Sequence, residues 1–144
     1  MTEPRAPRES SPMRVLLAVD GSPSASIAVD LVAGLDWPAG TTIRVAEAIE
    51  SGPALFGGPW PTVALVQSDT LEESVRDQAR RNVEDARSRL GRPGITLEDR
   101  VLSGRPSVAI VDDARAMHAD LIVLGSRGHG RLEEMLLGST SSEV

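Results

Sequence analysis

Three short segments carry residues able to bind or transform a ligand: Asp20-Gly21-Ser22, Gly125-Ser126-Arg127-Gly128-His129-Gly130 and Gly138-Ser139-Thr140. The second follows the apolar run Leu121-Ile122-Val123-Leu124 directly. Glycines in that position let backbone N–H groups turn inward with no Cβ in the way, which builds a concavity for an anion. Ser139 and Thr140 stand where a following helix would begin, adding hydroxyl donors to a positive helix terminus. Triphosphate oxygens suit such a cradle. Two common nucleotide motifs are excluded. Gly125 to Gly130 has the first six positions of a P-loop, but Arg131-Leu132 occupies the place of the Lys and Ser/Thr that the loop requires, and the spacing is not G-x-G-x-x-G.

The rest of the chemical inventory is thin. The 144 residues include no Cys, Lys or Tyr, and the histidines are His118 and His129. This removes thiolate nucleophiles, Cys-based zinc sites, disulfides and Schiff-base chemistry. A formal net charge of −6 argues against a general nucleic-acid binder, because affinity for a phosphate backbone needs a basic surface. An anionic ligand would instead be held by aimed N–H groups and a few Arg. The apolar runs are too short to span a bilayer and no signal-peptide core follows Met1, so a cytoplasmic protein without a membrane partner is expected. Plainer readings stand beside these: Asp20 as a brace for the turn before Ser22-Pro23, Gly125 and Gly128 as a simple turn, and the Glu/Arg face from Glu72 to Arg89 as solvated helix surface.

The elements that position these segments follow from periodicity. Residues 1–12 are rich in Pro, Arg and Ser and read as a disordered tail before a domain over residues 13–144. Val15 to Val19 reads as a buried parallel strand. Ser22 as N-cap and Pro23 at the first helical position start a helix that carries Ala25, Ala28, Val29, Val32 and Leu35 inward. Thr42 to Ile49 predicts a second strand and Ser51 to Pro61 a loop. From about Asp69 a long helix buries Leu71, Val75, Ala79, Val83, Ala86 and Leu90. Ile95 to Leu102 predicts a third strand, Gly104 to Ser107 a turn, Val108 to His118 a helix with Val108, Val111, Ala114 and Met117 inward, and Asp120 to Leu124 a fourth strand. The alternation gives an α/β fold: a doubly wound parallel sheet in an open, Rossmann-like sandwich, with ligands expected beyond the carboxyl ends of the strands at the switch point.

The spacing Gly125, two residues, Gly128, nine residues, Gly138-Ser139 resembles the ATP-binding signature of universal stress proteins, and Val15-Leu16-Leu17-Ala18-Val19-Asp20-Gly21-Ser22 is similar to the first strand and turn of that family. The resemblance implies an ATP-binding stress-response module. Asp20 would lie beside the ribose or phosphates and the backbone near Ala48 would meet adenine. Gly125, Gly128, Gly138 and Ser139, with Arg127 and Thr140, would hold the phosphates together with Mg2+ or another divalent ion whose protein ligands are not assigned. It implies no dedicated enzyme activity, although slow ATP hydrolysis is open, as is a nucleotide-independent interaction scaffold using Phe56 and Trp60. Family members continue into a further helix and a fifth strand that serves homodimerisation. Here the sequence stops at Val144, so that final helix and edge strand are expected to be incomplete and Leu121 to Leu124 to lie at a sheet edge.

Overall fold

The computed structural model describes residues 11–50, 65–126 and 144. Among the described residues seven elements follow one another as β1 (Arg14–Ala18), α1 (Pro23–Gly34), β2 (Thr42–Ile49), α2 (Leu65–Leu90), β3 (Thr96–Ser103), α3 (Pro106–Ala116) and β4 (Leu121–Leu124). The strands pair in parallel in the order β3-β2-β1-β4.

The apolar run in β1 has its cause in this arrangement, because a central parallel strand is covered on both faces. Val15, Leu17 and Val19 pack with Ala25, Ala28, Val29 and Val32 of α1 and with Val83, Ala86 and Leu90 of α2. Leu16 and Ala18 point the other way, into a cluster with Ala46 and with Ile110, Ala114 and Met117 around α3. Each fully buried branched side chain among these contributes roughly 1.5–3 kcal/mol relative to exposure. Right-handed crossovers account for the layering: the steps from β1 to β2 to β3 set α1 and α2 on one face, and the return from β3 to β4 sets α3 on the other. The winding therefore reverses between β1 and β4, which fixes the switch point.

Local signals act as their chemistry dictates. Ser22 caps α1, its Oγ accepting from the N–H of Ala25 at 3.1 Å, and Pro23 follows in the first turn. Three expected core positions are corrected. Leu35 lies beyond the end of α1 and is exposed. Leu71 is 46% exposed because α2 starts at Leu65 and runs for 26 residues. That is about 39 Å of helix, whereas an eight-residue strand spans about 26 Å, so its first turns project past the sheet. Val108 is 51% exposed because the face of α3 that packs on the sheet presents Ser107, Ile110, Ala114 and Met117, one position away from Val108.

An ion network crosses the α3 layer. Arg44 of β2 donates through Nε to Glu98 of β3 at 2.8 Å and through a terminal nitrogen to Asp113 of α3 at 3.0 Å. The Arg44 and Asp113 side chains are only 11% and 9% exposed. Burial works against the charged guanidinium, but the hydrogen bonds and charges of Glu98 and Asp113 outweigh it and hold Arg44 above its ordinary pKa. Among the described residues no helix is long and apolar enough to cross a membrane.

Candidate functional site

The switch point is built where β1 gives way to α1. The N–H of Val19 donates to the carbonyl of Ala46 at 2.9 Å, extending the ladder one residue past β1 before the chain turns away. Asp20 then braces the turn, its Oδ1 accepting from the N–H of Ser22 at 2.9 Å. The carboxylate is half-buried and sits at the positive amino-terminal end of α1. Its structural task and a place at a ligand rim are compatible, since the same bond fixes the aim of the side chain.

Two glycines let backbone segments close in. Gly21 has φ +73°, the left-handed region, and a Cβ there would come 2.8 Å from Nδ2 of Asn82 on α2. Gly125 ends β4 against the first turn of α1. A Cβ on it would meet Ser24 Oγ at 2.6 Å and the backbone N of Ala25 at 2.8 Å. The first glycine of the loop and the Asp20-Gly21-Ser22 turn are thus brought together at one rim.

Ala48 reaches the same rim by strand geometry. In a parallel ladder, residues two apart direct their backbone groups to the same side. Ala46 bonds toward β1, so Ala48 directs its N–H and C=O toward the space that β1 vacates after Val19. Of the expected site residues, Asp20, Ala48 and Gly125 are therefore assembled around the switch point. Arg127, Gly128, Gly138, Ser139 and Thr140 lie outside the described residues, as do His129 and the segment with Phe56 and Trp60. His118 sits at the far end of the sheet, in the turn before β4.

Sequence reasoning missed a polar group on α2. Asn82 Nδ2 donates to Glu47 of β2 at 3.0 Å and 3.3 Å, one contact to each carboxylate oxygen, and its Oδ1 accepts from Gln78 Nε2 at 3.0 Å. The Glu/Arg face of α2 is largely exposed, as expected, and the half-buried Asn82 stands at its border. Arg89, itself exposed, bonds Ser26 and Asp30 on α1. The available signal was an Asn, a poor helix former, set beside the apolar stripe of Ala79, Val83 and Ala86. Between α1 and α2 an open groove of ≈ 320 Å³, floored by Val19, Ala25 and Val29, reaches the rim at Gly21 and Ser22. Among the described residues no three or more His, Asp or Glu side chains converge as metal ligands.

The fold accords with what the chain resembles. The sequence model described as "Universal stress protein family" matches residues 12–144. The Thermus aquaticus protein named "Universal stress protein in QAH/OAS sulfhydrylase 3'region" is 34% identical over 131 residues, covering 90% of this chain and 88% of that protein. The solved structure of MJ0577 from Methanocaldococcus jannaschii superposes with a TM-score of 0.76 at 23% identity, covering 92% of this chain and 87% of that one, a likeness of fold. A universal stress protein solved in complex with cAMP is 25% identical with a TM-score of 0.53, covering 94% of this chain and 90% of that one.

Proposed function

The chain belongs to the universal stress protein family, and from that premise we propose that it is a cytoplasmic regulatory module that binds ATP at the switch point, with the nucleotide altering a conformation or a partner contact. One observation carries the reading: Gly125, the first member of the Gly-x2-Gly-x9-Gly-Ser pattern, lies against the first turn of α1 beside the Asp20 turn. The backbone of Ala48, directed to the same space, suits the edge of an adenine, and Gly128, Gly138, Ser139, Thr140 and Arg127 are the proposed phosphate contacts. A similar protein in complex with cAMP supports an adenine nucleotide as the ligand class.

The charge balance calls for a divalent ion in this reading. Asp20 lies in the turn at the rim and the whole chain is acidic, so a triphosphate would be repelled without a cation between them. Mg2+ suits the donors present, because it takes one or two carboxylates together with phosphate oxygens and keeps several waters. Asp20 is the described residue fitted to that part. The ion would supply charge neutralisation, while the chain's own N–H groups orient the phosphates.

The test is Gly128→Val, which sets a branched side chain in the phosphate path. The expected outcome is loss of MgATP binding with the thermal unfolding midpoint retained. A Gly128→Val protein that binds MgATP as tightly as the parent would overturn the reading.

A further inference from the structure

Asn82 touches both walls of the switch point. Its amide lies against Gly21 so closely that a Cβ there would sit 2.8 Å from Nδ2 and 3.0 Å from Cγ. The same Nδ2 holds the carboxylate of Glu47, and Glu47 immediately precedes Ala48 in β2. On the helix side Gln78, one turn earlier, fixes which way the amide faces by donating to Oδ1. One side chain on α2 therefore spans from the turn that aims Asp20 to the strand that carries Ala48.

We propose that Asn82, oriented by Gln78 and anchored on Glu47, is a positioning residue that sets the separation between the Asp20-Gly21-Ser22 turn and the backbone of Ala48, and thereby the affinity for the adenine nucleotide; this rests on the reading given under Proposed function. The physical basis is twofold. Gly21 has no side chain of its own to hold the turn in place, so the wall against which it packs sets its position. A hydrogen bond from a neutral amide to a carboxylate belongs to the stronger class, and losing it leaves a half-buried charge without that donor. The bond ties α2 to β2 at the level of the rim, whereas the apolar contacts of Val83, Ala86 and Leu90 tie α2 to the sheet below it.

The experiment compares the full chain with Asn82→Ala, with Asn82→Asp, and with the double variant Asn82→Asp/Glu47→Gln. Asn82→Asp sets two carboxylates against each other. The double variant restores a donor and an acceptor with the roles exchanged, and Gln78 can still donate to position 82. Two readouts are taken: MgATP affinity by calorimetry, and hydrogen exchange of the Ser22 N–H in nucleotide-free protein, with thermal unfolding as the control for folding. The expected result is MgATP affinity about tenfold weaker for Asn82→Asp, recovered to within about threefold in the double variant. Ser22 exchange should be faster in the single variants and slow again in the double, while the Leu16 and Leu17 amides of β1 are unchanged.

The inference is overturned if both single variants leave MgATP affinity within about twofold and Ser22 exchange unaltered, or if the double variant recovers neither. The two readings fail separately. Should the parent chain not bind MgATP, the proposed function falls, and Ser22 exchange alone decides whether Asn82 positions the turn.

Discussion

At the scale of single residues, Gly21 and Gly125 serve the rim for different reasons, and substitutions separate them. Gly21 needs its left-handed backbone, at roughly 1–2 kcal/mol for a residue with a Cβ, and also needs the space that Asn82 fills. Gly125 is needed for close approach alone. Gly125→Ala should lower the unfolding free energy by about 1–3 kcal/mol, read as a lower urea midpoint at constant slope. Adding Ser24→Gly removes the 2.6 Å clash with Oγ but leaves the backbone atoms of Ser24 and Ala25 at 2.8 Å, so recovery should be partial. Full recovery would mean that the strand end is free to shift. Ser22→Ala should cost about 1 kcal/mol through loss of the cap on Ala25.

At the scale of elements, the Arg44 network joins β2, β3 and α3, with Arg44 and Asp113 largely buried and Glu98 more exposed. One oxygen of Asp113 is buried with no hydrogen-bond partner among the described residues. Removing Arg44 therefore strands a buried carboxylate, and Arg44→Met should destabilise by about 3–5 kcal/mol. Replacing the network jointly, as Arg44→Met with Asp113→Leu and Glu98→Leu, should return most of that loss, because desolvation is no longer opposed. Chemical denaturation of the two variants decides it, and equal destabilisation in both would contradict the account. The elements themselves were readable where their signals were local. Ser22-Pro23 marks the start of α1, and the alternation from Thr42 to Ile49 marks β2, whose observed ends coincide with the expected ones. What periodicity could not convey was relative placement. Leu71 has the right spacing for a core face but lies past the end of the sheet, and Val108 shares helical spacing with Val111 and Ala114 while packing selects the neighbouring face of Ser107, Ile110 and Ala114. The site divides the same way. The placement of Asp20 and Gly125 at the rim was legible because each directly follows a short apolar run that forms a strand, β1 and β4. Asn82 and Glu47 meet 35 residues apart, and no local pattern announces a contact made by packing α2 on β2.

At the scale of the whole molecule, the sheet order β3-β2-β1-β4 explains why Asp20, Ala48 and Gly125 collect at one rim: α1, which follows β1, and α3, which precedes β4, lie on opposite faces, so the winding reverses between these two strands. A ligand that binds only the folded chain stabilises it by mass action. MgATP at a hundred times its dissociation constant should add about 2.7 kcal/mol to the unfolding free energy, seen as a raised thermal midpoint. The same nucleotide should leave a Gly128→Val protein unmoved. The measurement that bears most directly on the central claim is calorimetric titration of the full chain with MgATP, followed by competition with cAMP. The account predicts saturable binding at one site per chain, displaced by cAMP and weakened by Asp20→Asn. Absence of saturable heat with either nucleotide, together with an unshifted unfolding midpoint, would contradict it.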